Sequence, residues 1–257
     1  FPDGKVLLID GGDGSYAHSK TVLKALNRSR IDKIDYAVCS SVKSLRSAGL
    51  AEVLKYKKAD KLYAPYCVSE NITDGYKKLR KVVEGVNTEY CEYGAGVFEE
   101  DYGFCFLSPG TRLNQGEGSD YYLLNNDPSE QNIDNTSAAI YIYCGDTGVL
   151  LLGDLRSSAQ KKLISDYKVL GGFEMNGKKI QLDNVALVKA ANHGAEYAQC
   201  SEIYDGLKPK YTVISASGDM PPSQQVISDA ERYSGLFMTN DGTVTAIIDN
   251  GNIRVFN

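Results

Sequence analysis

The sequence predicts an α/β fold of the α+β kind: two mixed sheets packed face to face, helices outside, a four-layer αββα sandwich. Three observations predict it. Apolar strand-like runs alternate with helical periodicity over residues 5–84, which favours parallel pairing. Short strands joined by tight turns follow at 88–108, and strand–helix alternation returns from 138 onward. Each strand run would then be buried on at least one face. The two halves share this loose pattern without a sequence repeat. No linker rich in Pro, Gly or Ser divides them, so a single domain over residues 1–257 is expected.

The elements follow in order. Residues 5–10 are the first strand and Gly11-Gly12-Asp13-Gly14 its turn. Ser19 caps a helix to about Arg28, with Val22, Leu23, Ala25 and Leu26 on one face. A buried strand at 36–40, a helix at 48–56 and a short strand at 62–64, ended by Pro65, come next. Residues 71–84 form an amphipathic basic helix. Strands at 88–91, 96–99 and 104–108 form a meander, and a polar loop runs from 110 to 135. Residues 138–144 and 149–152 pair through the hairpin turn Asp146-Thr147-Gly148. A helix at 157–167, a turn at Asn176-Gly177, a strand at 185–188 and a short helix ending at 203–207 precede the strand 211–215. Ser223 caps a helix to Tyr233 with Val226, Ile227 and Ala230 inward. The hairpin 244–248/253–256, turned at Asp249-Asn250-Gly251, closes the chain.

At 257 residues and 42% hydrophobic, the chain can bury a sizeable core. A net charge of -5 excludes a binder that attracts nucleic acid or anionic membrane over its whole surface, while leaving room for a local basic patch. No stretch approaches the roughly 20 apolar residues that span a bilayer. The six cysteines form no C-x-x-C pair, and Cys39, Cys105 and Cys144 lie in apolar runs as small hydrophobes. Because Phe1-Pro2-Asp3-Gly4 leads straight into a strand, the chain is expected to lack its first strand or strands, or to be cut from a longer polypeptide.

The most informative segment is Cys39-Ser40-Ser41-Val42-Lys43-Ser44-Leu45-Arg46. It has the setting of a metal-site loop, an apolar strand before and a helix after, yet past Cys39 no residue in it can grip a cation. Four other landmarks keep their order: Val6-Leu7-Leu8-Ile9-Asp10-Gly11-Gly12, Leu151-Leu152-Gly153-Asp154-Leu155, Asn192-His193-Gly194-Ala195, and Pro209-Lys210-Tyr211 leading to Pro221-Pro222-Ser223. Together they resemble the metallo-β-lactamase fold family, closest to the hydrolase domain of ComEC/Rec2-type DNA-uptake proteins, across residues 5–256.

The resemblance implies where a two-metal site would stand. The family's H-x-H-x-D-H positions fall on Ser41, Lys43, Leu45 and Arg46, a poor neutral ligand, two cations and a side chain with no donor. The bridging aspartate falls on Asp154, the His-His pair on Asn192 and His193, and the late histidine on Pro221. Asp154 and His193 are the weak metal candidates that remain, below the three protein ligands a catalytic zinc needs. Asp10, Gly11 and Gly12 are structural. The expected cofactor is none, the alternative zinc.

The resulting reading is a non-catalytic binding or scaffold domain in which Lys43 or Arg46 supplies the positive charge of the lost metals, in contact with Asp154. The alternative is a divergent phosphodiesterase or nuclease with a rebuilt site of Asp154, His193, Asn192 and Lys43. A purely structural extracellular module is the third class. A Ser40 or Ser41 pair with His193 is a weak fourth signal, since no G-x-S-x-G elbow is present. Lys43, Arg46, Lys55, Lys57, Lys58, Lys61, Lys77, Lys78, Arg80 and Lys81 make a local basic density. That density is either two solvated helix faces or a surface for a phosphate-containing ligand or nucleic-acid backbone. By resemblance the domain would be attached to a larger membrane-associated protein and face the outside of a bacterial membrane.

Overall fold

Phe1–Glu92 with Pro109–Ser137 build one unit, and Tyr93–Ser108 with Ala138–Asn257 build a second, in a computed structural model that describes residues 1–69, 72–110, 120–249 and 251–257. Asn71, residues 111–119 of the expected polar loop, and Asn250 of the expected closing turn lie outside the described residues.

The first unit is organised by a sheet of β1 (Leu7–Ile9), β2 (Lys33–Val38), β3 (Lys58–Ala64) and β4 (Asn87–Tyr90), in that order, with every pairing parallel. Parallel neighbours need crossovers. Here α1 (Tyr16–Arg28), α2 (Ser44–Leu54) and α3 (Asp74–Val82) supply them. This sheet is not mixed. The meander expected at 88–108 is also divided: β4 joins β3, and the two strands after it belong to the second unit.

Local chemistry sets the helix starts. Ser15, not Ser19, caps α1: its backbone is extended and its hydroxyl accepts from the His18 N–H, while Ser19 is buried within the helix. Asp13 accepts from the Ser15 N–H at 2.8 Å, holding the cap in place. Helix α2 begins at Ser44, four residues before the expected start, because Lys43 is the extended residue at its cap. Its small residues are buried for a reason. A Cβ at Gly49 would lie 1.8 Å from the Gly11 carbonyl oxygen, and the Gly49 N–H donates to the Gly12 carbonyl at 2.9 Å. The Gly11-Gly12 turn therefore rides directly on the α2 backbone.

Residues 120–135, expected as polar loop, hold two short helices, α4 (Asp120–Asn126) and α5 (Glu130–Asn135). Tyr121 and Leu124 anchor α4 in the core, with the Tyr121 hydroxyl donating to the Cys91 carbonyl at 2.5 Å. The surrounding core includes Ile34, Leu50, Leu62, Leu79 and Leu124, all but removed from water. Each such side chain contributes about 1.5–3 kcal/mol.

The second unit's main sheet runs in the order β13-β12-β11-β8-β7-β6-β5. Its strands are β5 (Gly96–Phe98), β6 (Tyr102–Ser108), β7 (Ala139–Cys144), β8 (Thr147–Leu151), β11 (Val185–Lys189), β12 (Tyr211–Ile214) and β13 (Gly235–Met238). Pairing is antiparallel from β5 to β8 and parallel from β8 to β13, so this sheet is mixed. Helices α6 (Ser157–Leu170), α7 (Ser201–Leu207) and α8 (Gln224–Tyr233) link the parallel strands. Strand β13 escaped the sequence reading, being four residues long and only partly buried. The Asn176-Gly177 turn joins β9 (Phe173–Met175) to β10 (Lys178–Ile180), with φ of 49° and 76° at the two turn residues, the left-handed pair a tight hairpin needs. A second hairpin pairs β14 (Thr245–Asp249) with β15 (Asn252–Phe256).

The six cysteines are free thiols and five are buried. Among the described residues no helix is long and apolar enough to cross a membrane. Mixed α/β architecture is thus established.

Candidate functional site

Two loops carry the residues singled out above, one in each unit. In the first unit, β2 ends and the chain passes through Cys39-Ser40-Ser41 to the start of α2. Asp10 lies beside it, immediately after β1, in a left-handed conformation with φ 59°. Its carboxylate accepts from the Ser40 N–H at 2.7 Å and the Ser40 hydroxyl at 2.6 Å. Arg46 Nε stands 3.9 Å from the same carboxylate. The Asp10 side chain thus ties the two strand ends together and meets a guanidinium that is itself mostly buried.

Ser41 is buried, and its hydroxyl accepts from the Lys43 N–H at 3.3 Å. Lys43 turns inward. Its ammonium pairs with Asp134 of α5, whose side chain is 0% exposed. Leu45, in the same first turn, is exposed. Ser137 donates to the Ser40 carbonyl at 3.2 Å, so the segment that brings Asp134 also braces the loop. Sequence reasoning missed Asp134 because it lay in a stretch read as polar loop. The only available signal was the Ser129 cap followed by Ile133. Behind the loop, burial pushes the Cys39 thiol well above its ordinary pKa, and the Asp10 charge adds to it. Cys39 is therefore neutral at pH 7, a packing residue and not a thiolate.

In the second unit, β8 runs into Leu152-Gly153-Asp154, with Gly153 at φ 54° and Asp154 buried. The turn Ala191–Gly194 after β11 meets it. The Asn192 N–H donates to the Gly153 carbonyl at 2.8 Å, and the Asn192 side-chain amide donates to the Asp154 carbonyl at 3.2 Å. Asn192, His193 and Gly194 are all left-handed, at φ 43°, 57° and 76°. Two consecutive non-glycine residues in that region cost about 1–2 kcal/mol each. The neighbours hold them there. His193 Nδ1 lies 2.8 Å from the Ser215 carbonyl. A carbonyl can only accept, so Nδ1 carries the proton and a neutral ring has its lone pair on Nε2. Ser223 donates its N–H to the Gly194 carbonyl at 2.9 Å, and a Cβ on Gly194 would sit 2.7 Å from Pro222 Cβ. Asp154, Asn192, His193 and the Pro221-Pro222 segment are therefore neighbours in one unit, while Ser41, Lys43, Leu45, Arg46 and Asp10 are neighbours in the other.

The donors do not fit a zinc pair. The first loop presents a hydroxyl engaged with its own backbone, an ammonium and a guanidinium each beside a carboxylate, and an exposed leucine. Cations there repel a dication. In the second turn the asparagine amide is a strut and Pro221 offers no donor. Among the described residues, no group of three or more His, Cys, Asp or Glu side chains comes together to hold a metal.

The basic density divides as well. Lys55 pairs with Glu52 at 2.6 Å, Lys57 with Asp32 at 3.2 Å and Lys61 with Glu89 at 2.7 Å. On α3, Lys77, Lys78, Arg80 and Lys81 are exposed, and no described carboxylate pairs with them.

No family model and no curated protein matches the chain. Among solved structures it is similar to a new diphosphatase from the PhnP family, at 13% identity over 91% of this chain and 78% of that one, with a TM-score of 0.45. It is similar to the metallo-beta-lactamase fold protein YhfI from Bacillus subtilis, at 12% identity over 92% and 85% of the two chains, with a TM-score of 0.46. It is also similar to CmlA, a diiron beta-hydroxylase from Streptomyces venezuelae, at 11% identity over 80% of this chain but 44% of that one, with a TM-score of 0.46.

Proposed function

We propose that this chain is a degenerate metallo-β-lactamase-fold hydrolase domain that no longer holds a metal pair and acts as a binding or scaffold domain. The observation that carries this reading is the ion pair between Lys43 and buried Asp134. Lys43 stands at a position where the family resemblance puts a metal-binding histidine. A cation built into the chain, with its own counter-ion, leaves that loop electrically satisfied without a metal. The sequence landmarks favour the ComEC/Rec2-like branch, and with it one domain of a larger bacterial protein on the outer face of a membrane. Phosphate-bearing or nucleic-acid partners are then the natural candidates.

A second reading keeps catalysis, as a divergent phosphodiesterase or nuclease. It is favoured by the survival of Asp154 and by the tautomer of His193, whose Nδ1–H contact to Ser215 leaves Nε2 as the basic atom. Elemental analysis of the untagged protein after zinc and manganese loading, with hydrolysis of bis(p-nitrophenyl) phosphate measured in parallel, separates the two. The expected outcome is substoichiometric metal and no chelator-sensitive turnover. Two metal ions per chain, lost together with turnover in Asp154→Ala, would establish the second reading instead.

A further inference from the structure

A groove in the first unit is lined by the end of β3, by α3 and by β4 with the turns beside them. Its volume is about 330 Å³, at the lower end of small-molecule sites. The wall is aromatic and aliphatic: Tyr66, Tyr76, Tyr90, Leu79 and Val86 contribute, with Arg80 on the rim. Tyr66 and Tyr90 meet edge to face at 4.9 Å between ring centroids, and Tyr90 is 42% exposed. The buried Tyr76 hydroxyl is satisfied by the Pro65 carbonyl.

Two features say what belongs there. One is the exposed Tyr90 ring at an apolar cavity, beside Val68, which is 56% exposed. Large apolar side chains left in water around a concavity mark a binding surface. The other is charge. Arg80 lines the groove and, among the described residues, has no carboxylate partner, in contrast to the paired lysines of α1–β4. A guanidinium beside an apolar cavity matches a carboxylate, which it can hold through two parallel hydrogen bonds. A dianionic phosphate fits less well. The groove meets the C-terminal end of α3, where the helix dipole is negative, and among the described residues Arg80 is the one cation that lines it.

We infer that this groove binds an aromatic monocarboxylate, its ring against Tyr66 and Tyr90 and its carboxylate on Arg80. The inference is independent of whether the Lys43 loop or Asp154 supports catalysis. The probes are 2-naphthoate, its uncharged analogue 2-naphthalenemethanol, and a nucleoside monophosphate, each titrated into the full chain and followed by amide chemical shifts. Saturable 2-naphthoate binding with shifts confined to residues 62–90 is expected. Arg80→Gln, an exposed position, should weaken 2-naphthoate about tenfold and leave 2-naphthalenemethanol unchanged, while Tyr90→Ala should weaken both. No saturation by millimolar 2-naphthoate, equal affinity in Arg80→Gln, or tighter binding of the nucleoside monophosphate would each overturn the inference.

Discussion

The loop after β2 and the turn after β11 carry the residues singled out from the sequence, yet they are built in different ways. The β2 loop carries two cations, and each stands beside a carboxylate: Lys43 beside Asp134, Arg46 beside Asp10. The β11 turn carries a left-handed backbone at Asn192, His193 and Gly194, with the His193 ring against the Ser215 carbonyl. Paired side-chain charges mark the first region, and a left-handed backbone run held by its hydrogen-bonded neighbours marks the second. A loop can therefore hold a cation out of water, provided its counter-ion is buried beside it.

Substitution tests that contrast directly, the largest effect first. Lys43→Ala leaves the Asp134 carboxylate buried without its ammonium and should cost about 3–5 kcal/mol in urea unfolding. Lys43→Met with Asp134→Leu removes both charges and should recover most of that loss, because a matched apolar pair has no buried charge to satisfy. A cost near zero for the single change would break the contrast between the two loops.

His193→Ala should cost less, about 1–2 kcal/mol. It removes the contact to Ser215 and leaves an alanine at φ 57°. His193→Gly keeps the conformation cheap and should recover part of the loss. If Ala and Gly behave alike, the left-handed backbone at this position carries no cost in the β11 turn.

The smallest effect lies at Asp13, beside the Gly11-Gly12 turn. The Ser15 N–H holds its carboxyl below the usual aspartate range, with His18 adding to it. A lowered carboxylate stabilises the fold at pH values above its unfolded pKa, and that contribution disappears as pH falls through the folded value. At this largely exposed site it should amount to at most about 0.5 kcal/mol. Asp13→Asn should therefore differ slightly from the parent at pH 7 and match it in strong acid. A difference that grows on acidification would have the wrong sign.

Much of the fold was legible because it is local. The continuous apolar run Tyr36-Ala37-Val38-Cys39, and the helical stripe of Val22, Leu23 and Leu26, announce their elements over a few residues. The errors cluster where local signals compete. Ser15 and Ser19 both offer a cap, and only the extended backbone at Ser15 decides between them. Helices α4 and α5, at seven and six residues, are too short to show a period.

The candidate site divides along the same line. Residue identity sets whether a side chain can donate to a metal, so the sequence alone shows that Lys43, Leu45 and Arg46 cannot. It also placed Asp154, Asn192 and His193 on their turns. Tertiary structure alone selected Asp134 as the counter-ion of Lys43 and set the left-handed run at Asn192 and His193. Charge pairing and backbone strain depend on which distant groups share a small volume from which water is excluded, and no local pattern encodes that proximity.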